Sequence, residues 1–327
     1  MSSTKKIVII FACVFLACIL GAAVILGVLI SGGGGAASLA KMFGADMSVD
    51  ESRDLDLSGV TAVRIECASS DIHLAAADKP KADLKGYVIS PKPREQYLSV
   101  SEQNGTLIIK VESDPFFFNY AKLDLRVYLP EADSLDVSVG CASGNIDVSD
   151  MRFGELKISH SSGNTVISNC AASAFSFEGS SGDADISLCS FKTLDYVCTS
   201  GNITVKDTSG DFSVRSTAGN VNISGASGSL DVSCLSGNIT ADMIKIAPVT
   251  ADVTSGNITL YFPDGSAFDL TAKVTSGSIT SDMDITVSGS LSGFRPRSGE
   301  EISGTCNGGG VPVKLSTISG NIYIYKK

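Results

Sequence analysis

The chain has 327 residues, 43% of them hydrophobic and only 18% charged, with 25 basic against 35 acidic side chains and a net charge of −10. This balance argues against a nucleic-acid binder, which needs a basic face to meet phosphates. With only two histidines, His73 and His160, there is little material for histidine metal sites or proton relays.

Residues Ile7 to Ile30 form an uncharged apolar run of 24 positions. At about 1.5 Å per residue this predicts one helix long enough to cross a bilayer core of roughly 30 Å. A cleaved signal peptide has an apolar region of only roughly 7–15 residues, and the small-residue pattern at Ala37–Ala40 lies far downstream of the run. Cys18 follows Phe15-Leu16-Ala17, only a loose match to a lipoprotein attachment site. The run is therefore read as an uncleaved anchor. Lys5 and Lys6 precede it, which places residues 1–6 in the cytoplasm and the bulk of the chain outside. The outer part carries 23 basic and 35 acidic residues, a net −12. Residues 31–58, opened by four consecutive glycines, read as a linker.

Residues 59–134 hold a first repeat copy, Ala68-Ser69-Ser70-Asp71-Ile72, which lacks a glycine, and then an insertion. Three strand-like runs mark the insertion: 83–89, 97–111 around an Asn104-Gly105 turn, and 123–129. They are expected to form an antiparallel sheet capping the open end of the repeats. Phe116-Phe117-Phe118 is the single aromatic cluster, read as a plug at that end.

From residue 135 to 327 the chain repeats Ser-Gly-Asn or a near variant. The corner glycines are Gly144, Gly163, Gly182, Gly201, Gly219, Gly237, Gly256, Gly277 and Gly320. The first seven steps are 19, 19, 19, 18, 18, 19 and 21 residues, and the last is 43. Periods near 20 mark solenoids. Seven and five residues before the corner every copy is apolar, as in Leu156 with Ile158 and Leu230 with Val232, while the alternate positions are mostly polar. Two and four residues after it the apolar pattern resumes, as in Ile203 with Val205. This period-two alternation predicts strand, corner, strand, second corner in each copy. Glycine and asparagine suit the corner because they tolerate positive φ. One copy cannot bury its apolar face alone, so ten copies are expected to stack as parallel coils at about 4.8 Å each. The expected fold is thus all-β, a parallel β-solenoid with an antiparallel cap and one transmembrane helix. Residues 282–312 break the pattern, with Pro296 and Glu301 at inward positions around Gly299, and are read as a partly looped terminal coil. The copy at 313–325 returns to it.

The Ser-Gly-Asn-Ile-Thr repeats behind one N-terminal anchor resemble the bacterial family of β-strand-repeat putative adhesins, a domain of unknown function. The resemblance covers about residues 59–327. It implies a surface-exposed β-solenoid with a proposed adhesive role and, in some members, a link to envelope stress. It brings no catalytic residues with it.

Seven cysteines lie outside the anchor, which holds Cys13 and Cys18. Cys67, Cys141, Cys198 and Cys234 stand three before a corner, an inward position shared with His160, Gly179, Ser216, Val253 and Val274. They read as a column of small core residues rather than a metal ladder, since Cys198 and Cys234 are two coils apart. Cys170 and Cys189 each sit seven after a corner in consecutive coils, where Cα atoms about 5 Å apart would permit a disulfide in an oxidising compartment. His73 reads as solvated. Five Asn-x-Ser/Thr sequons, at Asn104, Asn202, Asn222, Asn238 and Asn257, matter only in a glycosylating host. No metal or cofactor set is legible. Asp231, Asp252 and Lys273 are the outward residues that an enzyme acting on polysaccharide would use.

The sequence thus predicts a single-span membrane protein working outside the cytoplasm by binding or scaffolding, without catalysis or cofactor. Its expected partners are the membrane and envelope glycans, a cell-wall polymer or another membrane protein. The alternatives are a polysaccharide-acting enzyme and an envelope-stress sensor, which with six residues before the anchor would need a membrane partner for output. Protease added to intact cells, or to protoplasts where a wall intervenes, is expected to degrade a C-terminal tag; protection of that tag by the intact membrane would reverse the topology.

Overall fold

Alternation of one apolar and one polar side chain gives each strand one face that must be covered, and two such faces set against each other form the core. A computed structural model describes residues 45–90, 93–113, 120–287 and 301–327 in this arrangement. The anchor run 7–30, the tail 1–6, the aromatic cluster 116–118 and the residues Pro296 and Gly299 lie outside the described residues. Among the described residues no helix is long and apolar enough to cross a membrane.

The described chain forms 27 strands. The N-terminal region supplies β1 (Ala45–Asp54), β2 (Ala62–Ser69), β3 (Asp71–Ala76), β4 (Lys81–Ser90), β5 (Leu98–Gln103), β6 (Thr106–Val111) and β7 (Tyr120–Leu129). The repeats supply β8 (Asp136–Ser143), β9 (Ile146–Ser149), β10 (Arg152–Ser162), β11 (Thr165–Ser168), β12 (Ala171–Ser181), β13 (Ala184–Ser187), β14 (Ser190–Ser200), β15 (Ile203–Lys206), β16 (Ser209–Ala218) and β17 (Val221–Ala226). They continue through β18 (Leu230–Ser236), β19 (Ile239–Met243), β20 (Val249–Ser255), β21 (Ile258–Phe262), β22 (Phe268–Ser276) and β23 (Ile279–Ser281). The chain closes with β24 (Ile285–Val287), β25 (Glu301–Cys306), β26 (Val311–Ser319) and β27 (Ile322–Lys326).

Strands before each corner form a 14-stranded first sheet, and strands after it form a 13-stranded second sheet. Within the repeats neighbours are parallel and in register: Leu156 stands beside Phe175, and Phe175 beside Leu194. The apolar positions on both sides of the corners are buried between the two sheets. Phe177 and Tyr196 stack there with ring centroids 4.7 Å apart, beside the space left by Gly179.

At each corner two devices meet. Gly201 has φ 142°, and a Cβ on it would lie 2.0 Å from the carbonyl oxygen of Gly182 in the coil below. Gly163, Gly182, Gly219, Gly237, Gly256, Gly277 and Gly320 repeat this approach, each against the corner glycine of the neighbouring coil. The next residue builds a ladder. Asn164 N donates to Asn145 Oδ1 (3.1 Å), Asp183 N to Asn164 Oδ1 (3.1 Å), Asn202 N to Asp183 Oδ1 (2.7 Å) and Asn220 N to Asn202 Oδ1 (2.9 Å). Asp71 starts the ladder by accepting from Asn145 N at 2.8 Å.

Three expectations need correction. The segment read as a linker contains β1, a ten-residue strand antiparallel to β4. Its sparse alternation, Met47 and Val49 among Asp46, Asp50, Glu51, Arg53 and Asp54, suits an edge strand in which charge blocks further pairing. The Glu51 carboxylate accepts from the backbone N–H groups of Tyr97 (2.8 Å) and Leu98 (3.0 Å), joining the caps of the two sheets. Second, the insertion is only partly antiparallel. β6 and β7 run parallel to β2 and β3 and form an eleventh coil, because Leu107 and Ile109 match Val63 and Ile65 in register and extend the core. β1, β4 and β5 then cap it in antiparallel fashion.

Third, the coils do not stack in chain order. β26 pairs with β20 on one side and β22 on the other, so the C-terminal coil lies between the coils of Gly256 and Gly277. The described part of residues 282–312 is not a coil: β25 lies antiparallel against the outer side of β22, and β24 antiparallel against β25. Asn307, Gly308, Gly309 and Gly310, all at positive φ, carry the chain round to the inner side of β22. Ser278 fits this order. It occupies the asparagine position after Gly277, and its N–H and hydroxyl both donate to Asn321 Oδ1 at 2.9 Å. Serine ends the ladder there, whereas Asn321 passes it on, receiving from Ser278 and donating its own N–H to Asn257.

Gly265 also has positive φ (74°), but open space surrounds its Cβ position. Gly265→Ala is expected to cost only the ~1–3 kcal/mol of a strained backbone. Gly201→Ala adds overlap with a carbonyl that can yield only by parting two coils, so its melting temperature should fall further in a thermal-denaturation comparison. Equal shifts would show that corner contact does not limit stability.

Candidate binding face and inward thiol columns

Most of the column three before each corner is buried and meets carbonyls at or just before the corners, while Cys67 and Gly179 are half-buried. His160 Nε2 donates to Gly144 O at 2.7 Å and its Nδ1 accepts from the Thr165 hydroxyl at 3.2 Å, a tautomer assigned from these partners. Thr317 Oγ1 donates to Gly256 O at 3.0 Å, Cys234 Sγ to Gly219 O at 3.4 Å, Cys198 Sγ to Ser200 O at 3.4 Å and Ser216 Oγ to Ala218 O at 3.3 Å. Most of the column thus consists of small or compact donors that serve the polar corner from within, whereas Gly179, Val253 and Val274 offer none. That is why Cys, Ser, Thr and His interchange there. The sequence showed their inward register but not the carbonyls they serve.

A second corner lies six residues after the first, at Asp150, Asn169, Leu188 and Asp207, with φ of 56°, 52°, 56° and 48°. It turns the following residue inward, which buries Met151, Cys170, Cys189, Thr208 and Ala226 as a second column. Cys170 and Cys189 are adjacent in it, 2% and 4% exposed, and both are free thiols. Their sulfurs also donate to Ser168 O (3.3 Å) and Ser187 O (3.1 Å). The proximity of the two thiols holds Cys189 below the ordinary thiol range and Cys170 above it.

Outward residues fall into rows. On the first sheet, Asp231 is 3.9 Å from Arg215. Asp252 stands beside Ser316, and Lys273 lies beyond Ser316. The inserted C-terminal coil thus separates Asp252 from Lys273, which chain order would have made neighbours. His73 on the second sheet lies 3.7 Å from Asp147 and 3.9 Å from Asp124. Among the described residues no group of three or more His, Cys, Asp and Glu side chains could hold a metal ion.

The C-terminal end of the second sheet carries a different surface. Thr204, Asn222, Thr240, Thr259 and Tyr323 align in one outward row. Lys206, Ser224, Asp242, Tyr261 and Tyr325 align in the next. The Tyr325 ring lies 5.6 Å from that of Tyr261 and 6.0 Å from that of Tyr323. Lys327 reaches back to Asp242 at 2.7 Å and walls a shallow pocket with Thr240 and Tyr261. The tyrosines were not singled out from the sequence, because outward aromatics only gain meaning once coils that are distant in sequence bring them together.

A Cys170–Cys189 disulfide remains a proposal with a direct check. Aerobically purified full-length protein, denatured in alkylating reagent without reductant, should yield both residues unlabelled and joined in one linked peptide pair. Complete alkylation of both would rule the bridge out.

Among known proteins, the chain is similar to crystal structures of a putative lipid binding protein from Parabacteroides distasonis (15% identity, 85% of this chain and 96% of that one, TM-score 0.49) and a putative adhesin from the same species (9%, 87% and 98%, TM-score 0.43). It is also similar to that of a putative adhesin from Bacteroides fragilis (13%, 86% and 97%, TM-score 0.36). No protein of curated function matches the sequence. The profile of one family spans residues 60–325, so the chain belongs to the Toastrack family, DUF4097, a domain of unknown function.

Proposed function

We propose that this is a membrane-anchored, extracytoplasmic β-solenoid that binds an envelope glycan or cell-wall polymer and performs no catalysis. The observation supporting this reading is the separation of chemistry in the coils. Apart from Cys67, which is half-buried and donates to the Cys141 sulfur, the thiol, hydroxyl and imidazole donors of the two inward columns are buried and donate to backbone carbonyls. The outward rows of the second sheet present Thr, Asn and three neighbouring tyrosines. Tyrosine combines a flat apolar body with a polar tip, a pairing suited to the C–H faces and hydroxyls of sugars. Repetition of these rows at about 4.8 Å favours an extended polymer, bound weakly per site and strongly through many copies. Placement outside the cytoplasm rests on the apolar run and its flanking lysines.

Full-length protein in detergent, incubated with cell-wall and glycan preparations, is expected to be retained without releasing reducing ends. Tyr261→Ala and Tyr325→Ala should each weaken retention by roughly two- to tenfold, the range of one lost aromatic contact, while Asp252→Ala leaves it unchanged. Steady product release abolished by Asp252→Ala would overturn this reading in favour of an enzyme.

A further inference from the structure

Of all the cysteines in the inward column three before the corners, only Cys67 and Cys141 are direct neighbours. They are paired residues of the parallel strands β2 and β8. Cys141 is flanked on its other side by His160, whereas Cys198 stands between Gly179 and Ser216, and Cys234 between Ser216 and Val253. The Cys67 thiol donates to the Cys141 sulfur with the two sulfurs 2.8 Å apart, closer than non-bonded sulfurs normally approach. Cys141 Sγ in turn donates to Ser143 O at 3.1 Å and Ser70 O at 3.6 Å. Register fixes the Cα atoms of paired strand residues about 4.8 Å apart, inside the range that a disulfide spans. Cys67 is half-buried, while Cys170 and Cys189 are both buried.

We propose that Cys67 and Cys141 form a reactive dithiol that closes into a cross-coil disulfide by exchange with an organic disulfide. The neighbouring imidazole does not make the pair a metal site, because both nitrogens of His160 are engaged, one by Gly144 O and one by Thr165. The hydrogen bond from Cys67 lowers the Cys141 thiol to about 7, against the opposing effect of its burial. The same hydrogen bond pushes the Cys67 thiol up, so Cys141 is the sulfur that favours the negative charge, steadied by the Cys67 S–H. Cys67 is the less buried residue of the pair, and the proposal makes it the one that meets the incoming disulfide. With the proton shifted to Cys141, the Cys67 thiolate attacks one sulfur of the reagent, forms a mixed disulfide and expels the other sulfur as a thiolate. The Cys141 sulfur then gives up its proton and attacks the Cys67 sulfur, expelling the second thiolate. The two cysteines lose two electrons and two protons between them, and the reagent is reduced to two thiols.

The bond would close a loop over the 74-residue separation of the two cysteines, which contains β3 through β7. It would pin the insertion and its antiparallel cap to the first glycine-cornered coil. Oxidation would thus set how readily the N-terminal end of the rod opens, independently of what the outward faces bind.

The test uses full-length protein in detergent, reduced, desalted and then treated with oxidised glutathione. After denaturation in alkylating reagent, peptide mapping is expected to show Cys67 joined to Cys141, with native limited proteolysis of the 68–140 region slowed at least several-fold. Cys67→Ser should abolish the linked peptide, and Cys170→Ser should leave it intact. The proposal is overturned if Cys67 and Cys141 are both alkylated after native treatment. It is equally overturned if the linked pair is Cys170–Cys189 alone, or if Cys170→Ser removes the Cys67–Cys141 peptide. Mapping the unsubstituted chain decides the matter even if a variant fails to fold.

Discussion

The spacing of about 4.8 Å between hydrogen-bonded strands governs this molecule at its corners. Where the chain leaves one sheet for the other, backbone stacks on backbone, and a Cβ at Gly182, Gly256 or Gly320 would lie 1.8–1.9 Å from the neighbouring glycine oxygen. Only glycine permits that approach, and its positive φ there is a conformation residues with a Cβ avoid. The asparagine ladder then supplies hydrogen bonds that the turning backbone would otherwise lack. Stacked amides of this kind are a recurrent means of fixing parallel, in-register strands.

The chemistry of the interior is a consequence of that constraint. A polar corner pressed against an apolar core needs donors on its inner side, and a buried carbonyl left unpaired is costly. His160, Thr317 and Cys234 meet this need with an imidazole, a hydroxyl and a thiol. Deeper in the coil the demand vanishes and the positions revert to Leu, Ile, Val and Phe. The same constraint frees the outside. Away from the corner ladder, outward strand side chains lie clear of the core, so they can vary coil by coil, and the cluster of Tyr261, Tyr323 and Tyr325 arises in that freedom.

A parallel stack has two open ends, and unpaired strand edges invite association with other chains. Among the described residues, antiparallel strands close three of the four outer sheet edges. At the N-terminal end β4 and β1 continue the second sheet and β5 the first, with Glu51 linking them. At the C-terminal end β25 and β24 close the first sheet, while the second stops at the three-residue β23. The threading of the last coil beneath β22 leaves a ladder-terminating residue, Ser278, outermost.

By itself the sequence determined the all-β class, the coil period, the inward and outward assignment of the repeat residues and the corner glycines. Each is a local consequence of period-two alternation and of a backbone angle, and both are written in neighbouring residues. The inward register of Cys67, Cys141, Cys170 and Cys189 was legible for the same reason. Only the tertiary structure decided which coils touch. Coils with the same corner and the same apolar pattern are interchangeable partners, so the sequence could not order the coils of Gly256, Gly320 and Gly277, nor promote β6 and β7 from cap to coil. Adjacency in space therefore separated Asp252 from Lys273, gathered three tyrosines on one face and set the sulfurs of Cys67 and Cys141 against each other across 74 positions of chain.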